Sequence, residues 1–281
     1  MKNRRKKEIV TYKKHHYVII AFLSIFSVIM MYPMGWTIMT AFKTNADIRL
    51  NRTKFFPREW SIDGFVTAFA KAPIGKWFLN SVFITVVVTA AVILTSTLIG
   101  YVFAKYEFKG KKVLFLLLLA TMMIPGQITM IPRYLLVQKL HLFNTQWALI
   151  VPNIISVFSV YLAKQFIEDI PGSLCDAAKI DGAGPIRIYW SVILPNIKPA
   201  IGSIGIFTAM RQWNDYLNPL LMLNDIDKMT LPLGLVMFDS QRAVDLSATM
   251  AVATMVMMPM ILIFLMFQKQ FIKGLTMSGI K

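Results

Sequence analysis

The sequence predicts an all-α integral membrane protein with six transmembrane helices and a short polar helix on the cytoplasmic side, between the fourth and fifth spans. Three observations predict it. The 281 residues are 56% hydrophobic with a mean hydropathy of +0.59, well above a soluble chain. Apolar runs recur that are long enough to cross a bilayer core, which takes about 20 helical residues. Between two of those runs lies Asp176-Ala177-Ala178-Lys179-Ile180-Asp181-Gly182-Ala183, polar and helix-forming.

The elements follow in order. Residues 1–16 form a basic N-terminus, with seven Lys or Arg between Lys2 and Lys14 directly before the first apolar run. That is the positive-inside signature. The run Tyr17–Phe42 is too long for a signal-peptide core and no small-residue cleavage site follows it, so it reads as a retained anchor. Trp77–Ala104, Val113–Pro132, Leu142–Ala163 and Leu246–Gln268 likewise carry no Lys, Arg, Asp or Glu, and Pro199–Leu223 is interrupted only by Arg211 and Asp215. Six spans put both termini in the cytoplasm. The cytoplasmic segments then hold 18 Lys and Arg against 11 outside, and seven of those 11 sit in the long loop 43–76, which the charge rule weights less. Residues 17–268 read as one six-span domain and 269–281 as a cytoplasmic tail, with no room for a soluble domain.

Loop 43–76 is punctuated by Pro57, Trp60, Gly64, Pro73 and Gly75, and the run from Trp60 to Phe65 opens a short interfacial helix. The second span ends at Lys105 and turns through Gly110, making a helical hairpin with the third. Ser96, Gly100 and Ala104 recur every four residues, the small-residue spacing that lets membrane helices approach closely; chance in an Ala/Ser/Gly-rich helix is the other reading. The third span contains Pro125-Gly126 and Pro132, and the fourth contains Pro152. Helix breaks at membrane depth must have their freed backbone groups satisfied by protein or by a water-filled cavity, so each marks either a pathway-lining or hinging helix, or a simple kink or early helix end. Pro171 favours a helix start, residues 173–181 favour helix, and Gly182 and Gly184 stop it. Arg211 and Asp215, four apart in the fifth span, share a helical face and can pair. They serve either as a packing ion pair or as lining of a translocation path. Trp213, Asn214 and Tyr216 beside them offer the stacking and amide groups that suit a sugar.

Composition excludes several classes. One cysteine, Cys175, rules out a disulfide framework, and His15, His16 and His141 lack a second ligand at metal spacing. The net charge of +16 is gathered at membrane flanks and leaves no aqueous basic face for nucleic acid. The 19 methionines, dense at Met250, Met255, Met257, Met258, Met260 and Met266, are adaptable packing rather than copper ligands. The sequence shows no Gly-x-x-x-x-Gly-Lys-Ser/Thr loop, so ATP phosphates have no cradle of that kind. No catalytic residue, metal or cofactor is expected.

The segment 176–199 resembles the cytoplasmic loop of permease subunits of ATP-binding-cassette importers. That loop reads Glu-Ala-Ala-x-x-Asp-Gly-Ala, then an aromatic residue, then Leu-Pro-x-x-x-Pro. Ala177, Ala178, Asp181, Gly182 and Ala183 match directly, Tyr189 takes the aromatic place, and Leu194, Pro195 and Pro199 complete the frame. Asp176 stands where the family has Glu, which keeps the charge and shortens its reach. The likeness extends along the chain and is similar to the carbohydrate-uptake subfamily, particularly its maltose-type second permease subunit. The run Trp213-Asn214-Asp215-Tyr216-Leu217-x-Pro219-Leu220 and the C-terminal run from Gln268 to Lys281 share in it.

The resemblance implies a bacterial inner-membrane protein in which 176–183 is a coupling helix within a loop, 168–199. It implies a second, different permease, a cytoplasmic ATPase dimer and an extracytoplasmic solute-binding protein as partners, with membrane lipid around them. Segment 224–244 would face the binding protein, and tail 268–281 the ATPase interface. A sugar or oligosaccharide is the expected cargo. Three alternatives stay open: the same machine carrying a glycerol phosphate derivative or an amino acid, a self-sufficient channel, or a secondary transporter. The last two leave the 176–199 pattern unexplained.

Overall fold

The computed structural model describes the backbone of residues 2–241 and 245–277, and side-chain surroundings for 17–237 and 245–266. Among the described residues the chain is helix and turn, without strands. It divides into two compact units, Met1–Lys71 with Arg242–Met255, and Ala72–Gln241 with Val256–Lys281.

The first unit holds α1 (Lys2–Ala41), α2 (Asn45–Leu50), α3 (Asp63–Lys71) and the start of the last helix. From Tyr17 to Met34 every side chain of α1 is exposed, as an apolar helix meant for lipid or another subunit should be. The following loop is a structured cap. Thr44 caps α2 by accepting from the Asp47 N–H at 3.2 Å, and Asp47 in turn accepts from the Asn51 amide and the Arg58 N–H. Lys43 is buried: its ammonium lies 4.9 Å from the centre of the Trp36 ring and donates to the carbonyl of Lys54. α3 begins where the Trp60–Phe65 run predicts. Its Gly64 meets the chain at Ser247, where an added Cβ would lie 2.5 Å from Oγ.

The second unit is organised by α4 (Ile74–Lys105), a single long span. The hairpin turn that follows runs through Gly110, whose φ of 83° glycine adopts without strain. The third apolar run is not one helix. α5 (Lys111–Ala120) passes into a 3₁₀ turn to Met123, and the backbone then straightens at Ile124 and re-forms only at α6 (Met130–Lys139). The cause is local, because Pro125 disfavours helical geometry in the residue before it and Gly126 adds freedom. The fourth run splits at Pro152 into α7 (Trp147–Ile150) with a 3₁₀ turn, then α8 (Val157–Glu168), 42° apart and restarted by Ser156, which caps the Ser159 N–H. After α9 (Gly172–Ile180) come α10 (Pro185–Ile188), one wide π turn at Tyr189–Ile193, α11 (Leu194–Asn196) and α12 (Lys198–Trp213), with an 81° bend between the helices on either side of Ile197. α13 (Leu217–Met222) and α14 (Leu231–Gln241) lead to α15 (Leu246–Met277).

Among the described residues, three helices are long and apolar enough to cross a membrane unbroken, and five when each bent pair is taken as one span. Of the six apolar runs expected as spans, the first, second and last are each one helix, the third is divided between α5 and α6, the fourth between α7 and α8, and the fifth between α12 and α13, so the described residues give five spans at most. α4 packs along α8 and α12 to form the core. Ser96 and Gly100 are buried there, and a Cβ on Gly100 would lie 2.9 Å from the Ala163 Cβ, so the predicted small-residue face is the α4–α8 contact.

Candidate functional site

The polar segment forms α9, nine residues over Gly172–Ile180, one residue earlier than the sequence predicts. Pro171 precedes it in extended geometry and offers no side-chain cap. The helix closes on Asp181, with N–H donations from Asp181 to Ala177 O, Gly182 to Lys179 O and Ala183 to Ala178 O at 2.9–3.0 Å. Gly182 sits at φ +78°, the left-handed geometry that ends a helix cheaply only with glycine. Nothing stands within 4 Å of where its Cβ would be.

α9 turns one face inward and one to solvent. Cys175 is buried and Ala178 packs on the core, while Asp176, Ala177, Lys179 and Asp181 are exposed and Ile180 is 87% exposed. Asp176 and Lys179 pair at 2.9 Å across one turn, and that carboxylate raises the lysine above its usual value. The exposed Ile180, Ile186 and Trp190 lie on the same stretch of chain.

Behind this face the segment is fixed to the C-terminal end of α4. Lys105 donates to Ile170 O at 2.6 Å, the Tyr101 hydroxyl reaches Pro185 O at 3.4 Å, and the buried Tyr189 hydroxyl shares a 2.8 Å hydrogen bond with Thr97. Tyr101 and Tyr189 also meet ring to ring at 5.9 Å. Tyr189 is thus an anchor beneath the helix. Leu194 is partly buried against the same core, Pro195 opens α11 and remains exposed, and Pro199 lies in the first turn of α12, where its carbonyl accepts from Ser203.

A second feature is a cavity of about 280 Å³ among α4, α6, α8 and α12. Arg133, Asn153, Ser156, Thr208, Arg211 and Gln212 give it polar lining, and Phe158 and Phe207 form an edge-to-face aromatic wall with centroids 5.7 Å apart. Of the residues expected along a path, only Arg211 reaches it. The expected Arg211–Asp215 pair does not form, because α12 ends at Trp213 and Asp215 lies past its end. The Asp215 carboxylate accepts instead from the Asn218 N–H and amide, at 3.2 and 2.7 Å. Trp213 is buried and donates to Val256 O at 2.9 Å, Asn214 closes the helix by donating to Met210 O, and Tyr216 is exposed away from the cavity lining.

Arg133 is the residue that sequence reasoning missed. Its charge marks the end of the third apolar run, and it lies on α6, beyond the break at Pro125, where it lines the cavity. Among the described residues there is no cluster of His, Cys, Asp and Glu that would hold a metal. Segment 224–244 contains a 3₁₀ turn at Ile226–Lys228 and α14, and its residues 242–244 lie outside the described residues. So do residues 278–281 of the tail.

Residues 96–277 match the family model for the binding-protein-dependent transport system inner membrane component. The arabinooligosaccharides transport system permease protein AraQ of Halalkalibacterium halodurans is 34% identical over 268 residues, covering 94% of each chain. AraQ of Bacillus subtilis is 32% identical over 92% of this chain and 94% of its own. Among solved structures, a bacterial ABC transporter involved in the import of the acidic polysaccharide alginate superposes with a TM-score of 0.82 over 92% of this chain and 97% of that chain, at 22% identity, a likeness of fold.

Proposed function

This chain belongs to the family of binding-protein-dependent transport system inner membrane components, and from that premise we propose that it is one permease subunit of an ATP-driven importer for oligosaccharides. It is a multi-pass membrane protein and a transport permease. In this reading the chain supplies half of the path for the sugar, while ATP is hydrolysed by partner subunits and a solute-binding protein delivers the cargo. A second permease completes the path, and both termini face the cytoplasm. The full-length likeness to arabinooligosaccharide permeases supports the cargo class.

The observation that carries the mechanism is the division of α9 into an exposed face and an anchored one. A nine-residue helix that shows Asp176, Ala177 and Ile180 to the aqueous side presents a small, shallow surface to a soluble partner. Its attachments to α4 through Lys105, Tyr101 and Tyr189 make it a stiff lever on that span. Docking in a cleft of the ATPase would pass the motor's closure to α4, and α4 packs on α8 and α12, which line the cavity. Ligand-driven shifts of this kind act through packed elements with discrete arrangements.

The test is Ala177→Trp and Gly182→Val in the assembled transporter. Both are expected to abolish substrate-stimulated ATP hydrolysis while the permease stays assembled in the membrane. Ala177 is the informative alanine because Ala178 packs inward, where a large residue would disturb the fold instead. Stimulated hydrolysis at the normal rate in both variants would remove α9 from the coupling path.

A further inference from the structure

The cavity among α4, α6, α8 and α12 is lined by two guanidinium groups that have no ion-pair partner among the described residues. Arg133 comes from α6 and Arg211 from α12, and both line the same space of about 280 Å³. Among the described residues neither forms an ion pair or a side-chain hydrogen bond. Asp215, within electrostatic range of Arg133, is engaged by Asn218 and does not line the cavity. Ionisable side chains set among apolar spans are expensive and ordinarily pair with something. Two like charges with unspent donors facing one space call for an anion to complete them.

The form of the donors narrows the anion. A guanidinium presents a planar fork that matches a carboxylate through two parallel hydrogen bonds. The other walls suit a sugar: Phe158 and Phe207 give an apolar face for ring C–H groups, and Asn153, Ser156 and Gln212 carry amide and hydroxyl groups for sugar hydroxyls. The volume of about 280 Å³ falls just below the range of about 300–1,000 Å³ for sites that enclose a whole ligand, which fits one residue of a longer chain in transit. We infer that the cavity receives a carboxylated sugar residue, and that the cargo of this permease is an acidic oligosaccharide of the uronate class. This rests on the importer reading above and sharpens it.

The experiment uses the complete importer in proteoliposomes, this chain with its partner permease, ATPase and binding protein. The probes are a galacturonate trisaccharide and its fully methyl-esterified form, which keeps the size and removes the charge. Uptake of the acid is expected to exceed that of the ester, and Arg133→Gln with Arg211→Gln is expected to lower acid uptake by about tenfold for each arginine and to leave the ester nearly unchanged. Arg133→Lys with Arg211→Lys should keep the charge, lose the fork and fall between. Equal uptake of acid and ester would overturn the inference. Equal loss of both probes in the glutamine variant would also overturn it, by assigning the arginines to a neighbouring subunit. Uptake of neutral arabinan oligosaccharides with rejection of the acid would sink this inference alone. Failure to move any saccharide would sink the importer reading with it.

Discussion

Two glycines of this chain are required for opposite reasons. At Gly182 an added Cβ meets nothing within 4 Å, so the demand is conformational: φ is +78°, where an ordinary side chain costs about 1–2 kcal/mol. At Gly234 an added Cβ would lie 2.1 Å from the ring of Trp77, so the demand is space. Gly234→Ala should cost about 1–3 kcal/mol and lower the melting temperature in detergent by several degrees, and an unchanged melting point would mean that Trp77 moves aside freely. Gly182→Asn, which tolerates left-handed geometry, should keep more coupling than Gly182→Val. Asp245 supplies a pH dependence. Burial pushes its carboxyl up, but the Asn45 amide, the Lys71 ammonium and the Ala248 N–H together hold it below the ordinary 3.8. A depressed value means that its stabilisation is complete above the ordinary value and is lost as pH falls through the lower folded-state one. Melting temperature against pH should therefore drop on that acid limb in the wild type and drop less in Asp245→Asn. At this scale the sequence was least legible. Arg211 and Asp215 at i and i+4 share a face only while the helix lasts, and α12 ends between them. Trp213 reads as a stacking group for a sugar, whereas it is buried, and nothing in a lone aromatic tells which way it turns.

Among the elements, spacing was the reliable guide. Ser96, Gly100 and Ala104 predicted a close helix contact, and the contact is with α8, where Ser96 and Gly100 face Ser156 and Ala163. Gly100→Leu should wedge that pair apart and yield less assembled permease on native gels, and normal yield would show that α8 can slide along α4. The polar interruption at 176–183 predicted a short helix to within one residue, because proline before it and glycines after it fix its limits. Its inward and outward faces were not legible, since Ala177 and Ala178 are chemically identical and only the packing beneath separates them. The apolar runs located the helices but not their continuity. Pro125-Gly126 and Pro152 each left two readings, and both proved to divide their runs, at α5–α6 and α7–α8. Those breaks matter to the site: they bring Arg133 and Asn153, from two different runs, to one cavity.

For the molecule as a whole, the distribution of charge predicts an orientation that one labelling experiment can test. Cys175 is buried and is the sole cysteine, so Cys175→Ala gives a background for single exposed cysteines. In intact cells a membrane-impermeant thiol reagent should label Thr53→Cys and spare Ile180→Cys until the membrane is opened. The reverse pattern would invert the topology and place α9 beyond the reach of any cytoplasmic motor. The bare flank of α1 carries a further consequence. From Tyr17 to Met34, eighteen consecutive side chains are uncovered, a surface that would precipitate the chain in water but is indifferent in a bilayer, where acyl tails are as oily as leucine. A newly made copy can therefore wait in the membrane without penalty until its neighbours are synthesised. Extraction reverses the situation: surfactant must coat that helix, and the choice of surfactant will decide whether the purified polypeptide stays monodisperse.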